Sequence, residues 1–397
     1  APAPTTAPVA PAAAAPTTAA PAVAPAAAPT TAAPAAAPAA APTAAAATAA
    51  STGKLPDVPR NRTLILIGGG GVQGKFKDFD LWNAFAIGAN HQNGPNLLME
   101  PLAYYSAFAD KTYPWLAESW KYSDDFKQLT IKTRGGVTWS DGQPFSAVDV
   151  AYTFSTLKDL GPKVRWGVDV QQFVDDAQAV DPNTVLIKFK VPAPRFFAFC
   201  TYKYDIGIYI VPKHIFAGKD WTTFTHFDLA GGLPVTTGPW KVVAGSPEQK
   251  ILDLRNDWWA VKAGLTTMPK VQRLLYLPIT DESAKTQALI SNQVDYMFTI
   301  VQNVAEAVQK NPAVTTHAGR QAPYGYVDWW PLSLYVNNSK PPFNDPDVRW
   351  ALSYFINREQ ISDVGYGGGV DPSRLPLPEY PPLLPYFDGV KDLLQKY

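Results

Sequence analysis

The segment that most restricts what this chain can fold into is its first fifty residues, which contain only Ala, Pro, Thr and Val. No residue before Lys54 is charged or aromatic, so these side chains cannot build a core that offsets the entropy lost on ordering. Proline recurs every few residues and breaks the helix that alanine would favour. We therefore expect residues 1–53 to be a disordered spacer, reaching on the order of 150 Å at about 3.1 Å per residue. It is either a stalk that holds a domain away from a surface or a tail without a role.

The rest of the chain is long enough for about two domains and is rich in aromatic residues. Lys plus Arg and Asp plus Glu number 34 each, without a basic run, which argues against a nucleic-acid partner. Cys200 is the single cysteine and is expected to be a buried thiol, while the four histidines show no metal-ligand spacing. We expect no catalytic residue, metal or cofactor. No apolar stretch is long enough to span a membrane, and no signal peptide is visible, so a secreted chain would be present here in its mature form.

A glycine cluster in "LILIGGGGVQGKFKD", residues 64–78, raises the alternative of a nucleotide-binding enzyme. Gly69, Gly71 and Gly74 fit G-x-G-x-x-G, but a Rossmann loop needs a helix directly after the third glycine. A P-loop needs Ser or Thr after its lysine, and residue 76 is phenylalanine. The favoured interpretation is a first buried strand, "RTLILI", followed by a glycine loop.

Hydrophobic periodicity predicts a mixed α/β fold with irregularly interleaved elements. Short apolar runs bounded by Pro or Gly, "NTVLIKFK" and "GPWKVV", are typical of strands. Two helices are predicted over residues 281–293, with Asp281 as N-cap, and 345–361. Their expected apolar faces consist of Ala284, Ala288 and Leu289 in the first helix and of Val348, Leu352 and Phe355 in the second.

The segment "WLAESWKYSDDFKQLTIKTRGGVTWSDGQPFSAVDVAYTF", residues 115–154, predicts a strand hairpin, an Asp-Gly turn and a helix. Ser146 is placed to cap that helix, with Asp149 as the capping-box acid. This pattern also resembles the signature of the extracytoplasmic solute-binding proteins of peptide-type ABC importers, called family 5. Further segments resemble family motifs in the family's order, over about residues 60–397. They are "MEPLAYY" at 99–105, similar to an early Glu-x-Leu helix, "IVPKHIF" at 210–216, "TTGPWKVV" at 236–243, "RNDWW" at 255–259, "NQVDYM" at 292–297 and "PPFNDPDVRWALSYFINREQI" at 341–361.

The resemblance implies an α/β, two-lobed periplasmic-binding-protein-like fold of type II, with mixed sheets, flanking helices and a cleft between the lobes. We expect a first lobe at 54–270, with an inserted subdomain at about 100–215, and a partial second lobe at 271–397. Members of the family usually continue well over a hundred residues beyond "YFDGVKDLLQKY", so the chain is expected to be a fragment.

The resemblance also implies a function without chemistry on the ligand. Such a protein traps a solute between its lobes, and the closed form docks on a membrane permease whose ATPase drives uptake. The expected protein is a monomer outside the cytoplasm, tethered to the membrane through the spacer and a lipid. Oligopeptides are the favoured ligands and short oligosaccharides the alternative. A surface-display or adhesion module on a proline-rich stalk is the alternative of another class.

Candidate ligand-binding residues are aromatic and polar side chains outside the motifs. Trp120, Trp139 and Trp259 lie within motifs and are expected in the core. Trp82 follows the glycine loop, and "WNAF" with "GANHQNG" is closer to relatives that take oligosaccharides. The residues expected at the ligand are Trp82, Asn83, Phe85, His91, Gln92, Trp166, Trp329 and Trp330. A purely structural role for each remains the alternative.

Overall fold

A mixed α/β fold is seen in the computed structural model, which describes residues 50–51, 55–67, 71–89, 94–202, 207–297, 303–325, 333–373, 375, 378 and 380–394. The strands are β1 (Ala50–Ser51), β2 (Thr63–Ile67), β3 (Gly71–Val72), β4 (Lys75–Phe76), β5 (Ala103–Ser106), β6 (Lys111–Pro114), β7 (Ala117–Tyr122), β8 (Gln128–Thr133), β9 (Val174–Asp181), β10 (Thr184–Phe189), β11 (Thr201–Tyr202), β12 (Trp240–Ser246), β13 (Gln249–Leu254), β14 (Arg273–Leu277) and β15 (Tyr296–Met297). The α-helices are α1 (Pro95–Leu98), α2 (Ala147–Leu160), α3 (Gly167–Phe173), α4 (Lys213–Phe216), α5 (Trp259–Lys262), α6 (Glu282–Ile290), α7 (Val304–Lys310), α8 (Pro346–Phe355), α9 (Arg358–Gln360) and α10 (Leu384–Leu394).

The largest sheet contains six strands in the order β1-β12-β13-β14-β2-β15. Strand β2 is the predicted "RTLILI" strand, and it pairs in parallel with β14 on one side and β15 on the other. The other neighbours in this sheet are antiparallel. Residues 1–49 of the predicted spacer lie outside the described residues. The predicted spacer, residues 1–53, includes β1, which pairs with β12 at the edge of the sheet.

The predicted hairpin and helix of residues 115–154 are confirmed. Strands β7 and β8 form an antiparallel hairpin within a four-stranded sheet of order β7-β8-β10-β9. The two turns that follow place Gly136 and Gly142 at φ 75° and 87°, a backbone region that glycine adopts without strain. Ser146 then caps α2 in a capping box with Asp149, whose carboxylate also accepts a hydrogen bond from the Lys213 backbone N–H at 2.9 Å.

The glycine cluster leads into a hairpin. Strands β3 and β4 pair around Gln73 and Gly74, which have φ 52° and 73°, as a two-residue hairpin turn with positive φ values requires. The chain therefore continues after Gly74 as a strand, and the helix that a dinucleotide fingerprint needs does not follow it. Gly69 lies outside the described residues.

The predicted helix in "MEPLAYY" is wrong. Helix α1 ends at Leu98, Met99 is extended, and β5 begins at Ala103. Pro101 explains the difference, because a residue that precedes proline is restricted to extended conformations and Glu100 cannot continue the helix. Strand β5 joins a three-stranded sheet of order β11-β5-β6.

The two predicted C-terminal helices are confirmed in position but not in every detail. Asp281 caps α6 by accepting from the Ala284 N–H at 2.7 Å, and Ala288 is buried, but Ala284 is exposed and Thr286 is buried in its place. The predicted helix at 345–361 is broken, because α8 ends at Phe355 and Asn357 caps the separate helix α9.

The face predicted for the second of these helices is also wrong. No residue of α8 is buried, Val348 and Leu352 are half-buried, and Phe355 is 88% exposed. Periodicity identifies an apolar face, but it does not say whether another part of the described structure covers that face.

One large hydrophobic core includes the buried face of α2, the four-stranded sheet and part of the six-stranded sheet. Cys200 is fully buried in this core, as predicted. Strands β13 and β14 are neighbours in one sheet, so the predicted lobe boundary near residue 270 falls between two paired strands. The division into lobes and an inserted subdomain stays a prediction.

Candidate functional site

A cavity of about 370 Å³ lies where four of the motif segments meet. Its walls come from the chain around α1, from the hairpin β5–β6 and its continuation, from the start of β12 and from the residue before α5. We call this cavity the Glu100 pocket. The residues that line it are Asn96, Leu97, Met99, Glu100, Tyr104, Trp115, Pro239, Trp240 and Trp258.

Close backbone contact holds two walls of the Glu100 pocket together. The Gly238 N–H donates to the Leu98 carbonyl at 2.8 Å, and a Cβ at Gly238 would lie 2.4 Å from that oxygen. Only glycine fits there, which gives the "TTGPW" motif a physical reason. The buried Arg255 side chain donates to the carbonyls of Thr236 and Gly238, each at 3.1 Å, and so ties this turn to the "RNDWW" motif.

The Glu100 carboxylate is held by three tryptophan indoles. Trp115 and Trp259 donate their indole N–H groups to it at 2.8 Å, and Trp258 donates at 3.2 Å. Glu100 is only 2% exposed, and it precedes Pro101, which disfavours a helical backbone at Glu100. The Trp115 ring also contacts the Tyr104 ring edge to face, with centroids 5.3 Å apart.

The electrostatics of the pocket are dominated by burial. Desolvation raises the pKa of Glu100 above its usual value, although the indole hydrogen bonds favour the ionised form and oppose the shift. Burial also raises the pKa of Tyr104 well above its usual value, and the nearby charge of Glu100 adds to that rise. The lining is thus largely aromatic surface around one buried carboxylate that the indoles hold by hydrogen bonds.

Three of the predicted ligand residues lie in the core instead of lining this pocket. Trp82 is 1% exposed, and Asn83 and Phe85 are fully buried. The Asn83 amide donates to the carbonyls of Trp221 and Phe224, at 2.9 and 3.0 Å, so its polar atoms are engaged within the fold. These placements favour the structural alternative, and a role at the ligand stays a prediction.

Trp166 also lies away from the Glu100 pocket. It precedes α3 with φ 67°, is half-buried, and contacts Phe199 edge to face at 5.9 Å between ring centroids. The four other predicted ligand residues lie outside the described part of the chain; they are His91, Gln92, Trp329 and Trp330.

Trp139 and Trp259 are buried, and Trp120 stacks on Phe197 with centroids 3.8 Å apart, as expected for core tryptophans.

The sequence motifs include most of the segments that line the Glu100 pocket, but Glu100 itself was not predicted to be its central residue. Nothing local marks Glu100 as central, because its partners are 15, 158 and 159 residues away. One local feature could have pointed to it: Glu100 is an acidic residue inside an apolar segment, and a buried carboxylate needs hydrogen-bond donors around it.

No helix in the described ranges is long and apolar enough to cross a membrane. Nor do those residues bring three or more His, Cys, Asp or Glu side chains together in a way that could hold a metal ion.

Comparison with known proteins gives consistent results. A family model described as "Bacterial extracellular solute-binding proteins, family 5 Middle" matches residues 111–393. The glutathione-binding protein GsiB of Pectobacterium atrosepticum is 27% identical over 265 residues, which are 66% of this chain and 47% of that protein. The nickel-binding periplasmic protein of Escherichia coli is 23% identical over 286 residues, 69% of this chain and 49% of that protein. The chain thus spans about half the length of the curated relatives it matches.

Solved structures show the same likeness. A periplasmic oligopeptide-binding protein of an oligopeptide ABC transporter from Thermotoga maritima superposes with a TM-score of 0.68 at 26% identity, covering 85% of this chain and 60% of that one. The mannohexaose-bound form of that protein gives a TM-score of 0.64 over 85% of this chain and 59% of that one. These likenesses confirm the predicted fold class, a mixed α/β fold of the two-lobed periplasmic-binding-protein type.

Proposed function

Since this chain belongs to family 5 of the bacterial extracellular solute-binding proteins, we propose that it is the ligand-capturing subunit of an ABC importer and that its favoured ligands are oligopeptides. The family match over residues 111–393 carries this proposal, because it includes Trp115, Trp240 and Trp258 of the Glu100 pocket. The pocket supports it, since solute sites in proteins are concave, largely apolar and equipped with a few placed polar groups.

The choice of ligand class rests on two observations. The similar protein from Thermotoga maritima is described as oligopeptide-binding, which favours peptides. The same protein has been solved with mannohexaose, and aromatic rings like those of the Glu100 pocket stack on sugar faces, so short oligosaccharides are the second candidate.

In this proposal the chain acts outside the cytoplasm without changing its ligand chemically. A ligand held between two lobes stabilises the closed form, because only that form makes both sets of contacts. The closed form then delivers the ligand to a membrane permease driven by an ATPase. The protein acts as a monomer, and residues 1–53 tether it to the membrane through a lipid.

Ligand binding by the whole chain tests the proposal. The chain would be unfolded and refolded to remove bound solute, then incubated separately with a pool of tri- to pentapeptides and with mannohexaose. We expect peptides to raise the melting temperature, since a ligand at a hundred times its dissociation constant stabilises by about 2.7 kcal/mol. Small-angle scattering should show a smaller radius of gyration with peptide bound.

Other outcomes would redirect or overturn the proposal. Stabilisation by mannohexaose alone would establish the oligosaccharide alternative. No stabilisation by either class, together with an unchanged radius of gyration, would contradict a solute-capturing role and favour the surface-display alternative.

A further inference from the structure

The N-terminal Ala/Pro/Thr segment repeats one short unit. Pro-Thr-Thr-Ala occurs at residues 4–7, 16–19 and 29–32, and Pro-Thr-Ala follows at 42–44, so a unit begins every 12 or 13 residues. We call these four segments the Pro-Thr units. They contain seven of the eight threonines that precede residue 50, namely Thr5, Thr6, Thr17, Thr18, Thr30, Thr31 and Thr43. Alanine and proline alone would serve as a spacer, so the tethering role does not account for threonine at this spacing.

The composition around these threonines suits enzymatic modification of their hydroxyl groups. Proline directly before the threonine disfavours helix, and the alanine after it has the smallest side chain that carries a Cβ. The first 49 residues contain no acidic, amide or aromatic side chain that could bond or cover a hydroxyl. Threonine-rich segments with proline are the composition of O-glycosylated stalks. The sequence therefore predicts acceptor hydroxyls that a sugar-transferring enzyme can reach.

The described part of the chain uses its threonine pairs in another way. Four Thr-Thr pairs occur there, and none follows a proline; they are residues 222–223, 236–237, 266–267 and 315–316. In each pair at least one hydroxyl is buried or donates a hydrogen bond within the fold. The Thr222 hydroxyl, for example, donates to the Asp220 carboxylate at 2.7 Å. Threonine pairs within the fold thus have structural roles, and they provide a matched comparison for the pairs that follow proline.

The Pro-Thr units also lie before the fold in the sequence. The last unit ends at Ala44, and the first described strand begins at Ala50, which pairs with Gly245. The family match begins later still, at residue 111. A sugar on any unit would therefore add bulk without replacing a described contact of the fold.

We propose that the Pro-Thr units are O-glycosylation sites, modified outside the cytoplasm by an enzyme that uses a glycosyl phosphate as sugar donor. The threonine Oγ1 forms a bond to C1 of the sugar, while the bond between C1 and the phosphate oxygen breaks. The hydroxyl proton passes to a base of the enzyme, and the phosphate leaves with the bonding electrons. This modification goes beyond the proposed function, because it concerns the tether and not the ligand. Its product is a spacer that carries bulky, solubilising groups at regular intervals.

Peptide mass spectrometry of the chain isolated from the cells that make it tests the inference. No Lys or Arg precedes Lys54, so trypsin leaves residues 1–54 on one peptide. We expect this peptide to exceed the mass of its sequence by whole sugar residues, and fragmentation that preserves the sugar bond should assign them to the Pro-Thr units. In a variant with alanine at all seven of their threonines, made in the same cells, the excess should disappear. Thr48→Ala, at the threonine that follows an alanine, should keep the wild-type excess.

Each result decides the inference in one direction. A wild-type peptide with the mass of its sequence would overturn it, as would an excess that persists in the sevenfold variant. Sugar found equally on the pair 222–223 would show that the Pro-Thr units are not selected, and would overturn it too. Both variants change only residues before β1, so we expect them to melt at the wild-type temperature. Ligand binding by the chain is measured separately and stands or fails independently of these masses.

Discussion

Trp82 packs against a buried ion pair. Its ring lies 5.6 Å from the Lys250 ammonium group, which pairs with Asp78 at 3.0 Å, and its indole N–H donates to the Phe79 carbonyl. Because the ring is 1% exposed, we expect Trp82→Ala to lower the free energy of unfolding by roughly 3–5 kcal/mol. Urea denaturation measures the loss, and Trp350→Ala, at a residue 50% exposed, should cost less than about 1 kcal/mol.

The same variant tests the sequence-based hypothesis that Trp82 contacts the ligand. A tryptophan that stacks on a ligand would lose affinity when replaced by alanine and leave most of the stability intact. We expect the opposite pattern, a large fall in melting temperature with little change in affinity for the peptide pool. An unchanged melting temperature with a tenfold weaker affinity, about 1.4 kcal/mol, would place Trp82 at the ligand.

His226 is expected to make the fold sensitive to acid. Its ring is fully buried, its Nε2 accepts a hydrogen bond from the Val235 N–H at 3.0 Å, and burial lowers its pKa from 6.5 to about 3. Below about pH 6.5 the unfolded chain gains a proton at this residue that the folded chain cannot take. Stability should therefore fall by about 1.4 kcal/mol per pH unit as the pH drops from 6.5 towards 3.

A substituted chain separates His226 from the other groups that titrate in acid. In His226→Gln, whose amide oxygen can accept the same hydrogen bond, the loss of stability between pH 7.5 and 5 should be smaller than in wild type by roughly 2 kcal/mol. The exposed histidine variant His317→Gln should follow wild type. Parallel pH profiles for wild type and His226→Gln would contradict the expectation.

At the scale of elements, the N-terminus of α2 is joined to α4 through one carboxylate. Asp149 accepts from the backbone N–H groups of Ser146 and Lys213, at 3.0 and 2.9 Å. Asp149→Ala leaves both donors unsatisfied, so we expect a loss of roughly 2–4 kcal/mol. The matched variant Asp281→Ala removes only an exposed cap of α6 and should cost about 1 kcal/mol. Equal losses in thermal unfolding would show that the contact with Lys213 contributes nothing.

Elements whose ends are marked by turn and capping residues close in sequence could be predicted. The β7–β8 hairpin and the capped start of α2 are encoded by neighbouring residues: alternation, glycines with positive φ, and a capping box. The helix predicted in "MEPLAYY" was wrong because it was inferred from the family motif alone. The restriction that Pro101 places on the backbone of Glu100 was not taken into account. The break at Asn357 was missed because an Asn can cap a new helix inside an apolar periodic pattern.

The pocket was beyond sequence reasoning for a different reason. Its chemistry arises where Glu100 meets Trp115, Trp258 and Trp259, and these contacts depend on the tertiary fold. The motifs "TTGPW" and "RNDWW" were recognised, yet their joint position around one carboxylate could not be read from their spacing. The tryptophans that were expected to bind the ligand lie outside the motifs. The tryptophans that line the Glu100 pocket, Trp115, Trp240 and Trp258, lie within them.

At the scale of the whole molecule, the N-terminal segment can be divided at β1. Ala50 and Ser51 pair with Gly245 and Ala244 at the edge of the six-stranded sheet. We expect a chain lacking residues 1–48 to keep the stability of the full chain within about 0.5 kcal/mol and to keep its ligand affinity. A chain lacking residues 1–54 should lose about 1 kcal/mol and self-associate more, because the edge of β12 is uncovered. Thermal unfolding and analytical ultracentrifugation compare the two, and a tenfold loss of affinity in the shorter deletion would contradict the expectation.

The position of β2 in the six-stranded sheet has a consequence for synthesis on the ribosome. Leu64 pairs with Leu274, roughly 210 residues further along the chain, and β15 follows later still. At about 5–20 residues per second, β2 emerges roughly 10–40 s before its first neighbour has been translated. Throughout that interval a run of Leu and Ile has no native partner and can pair with other nascent chains. We therefore expect the nascent chain to be most prone to aggregation before residues 273–277, the strand that pairs with β2, have been translated.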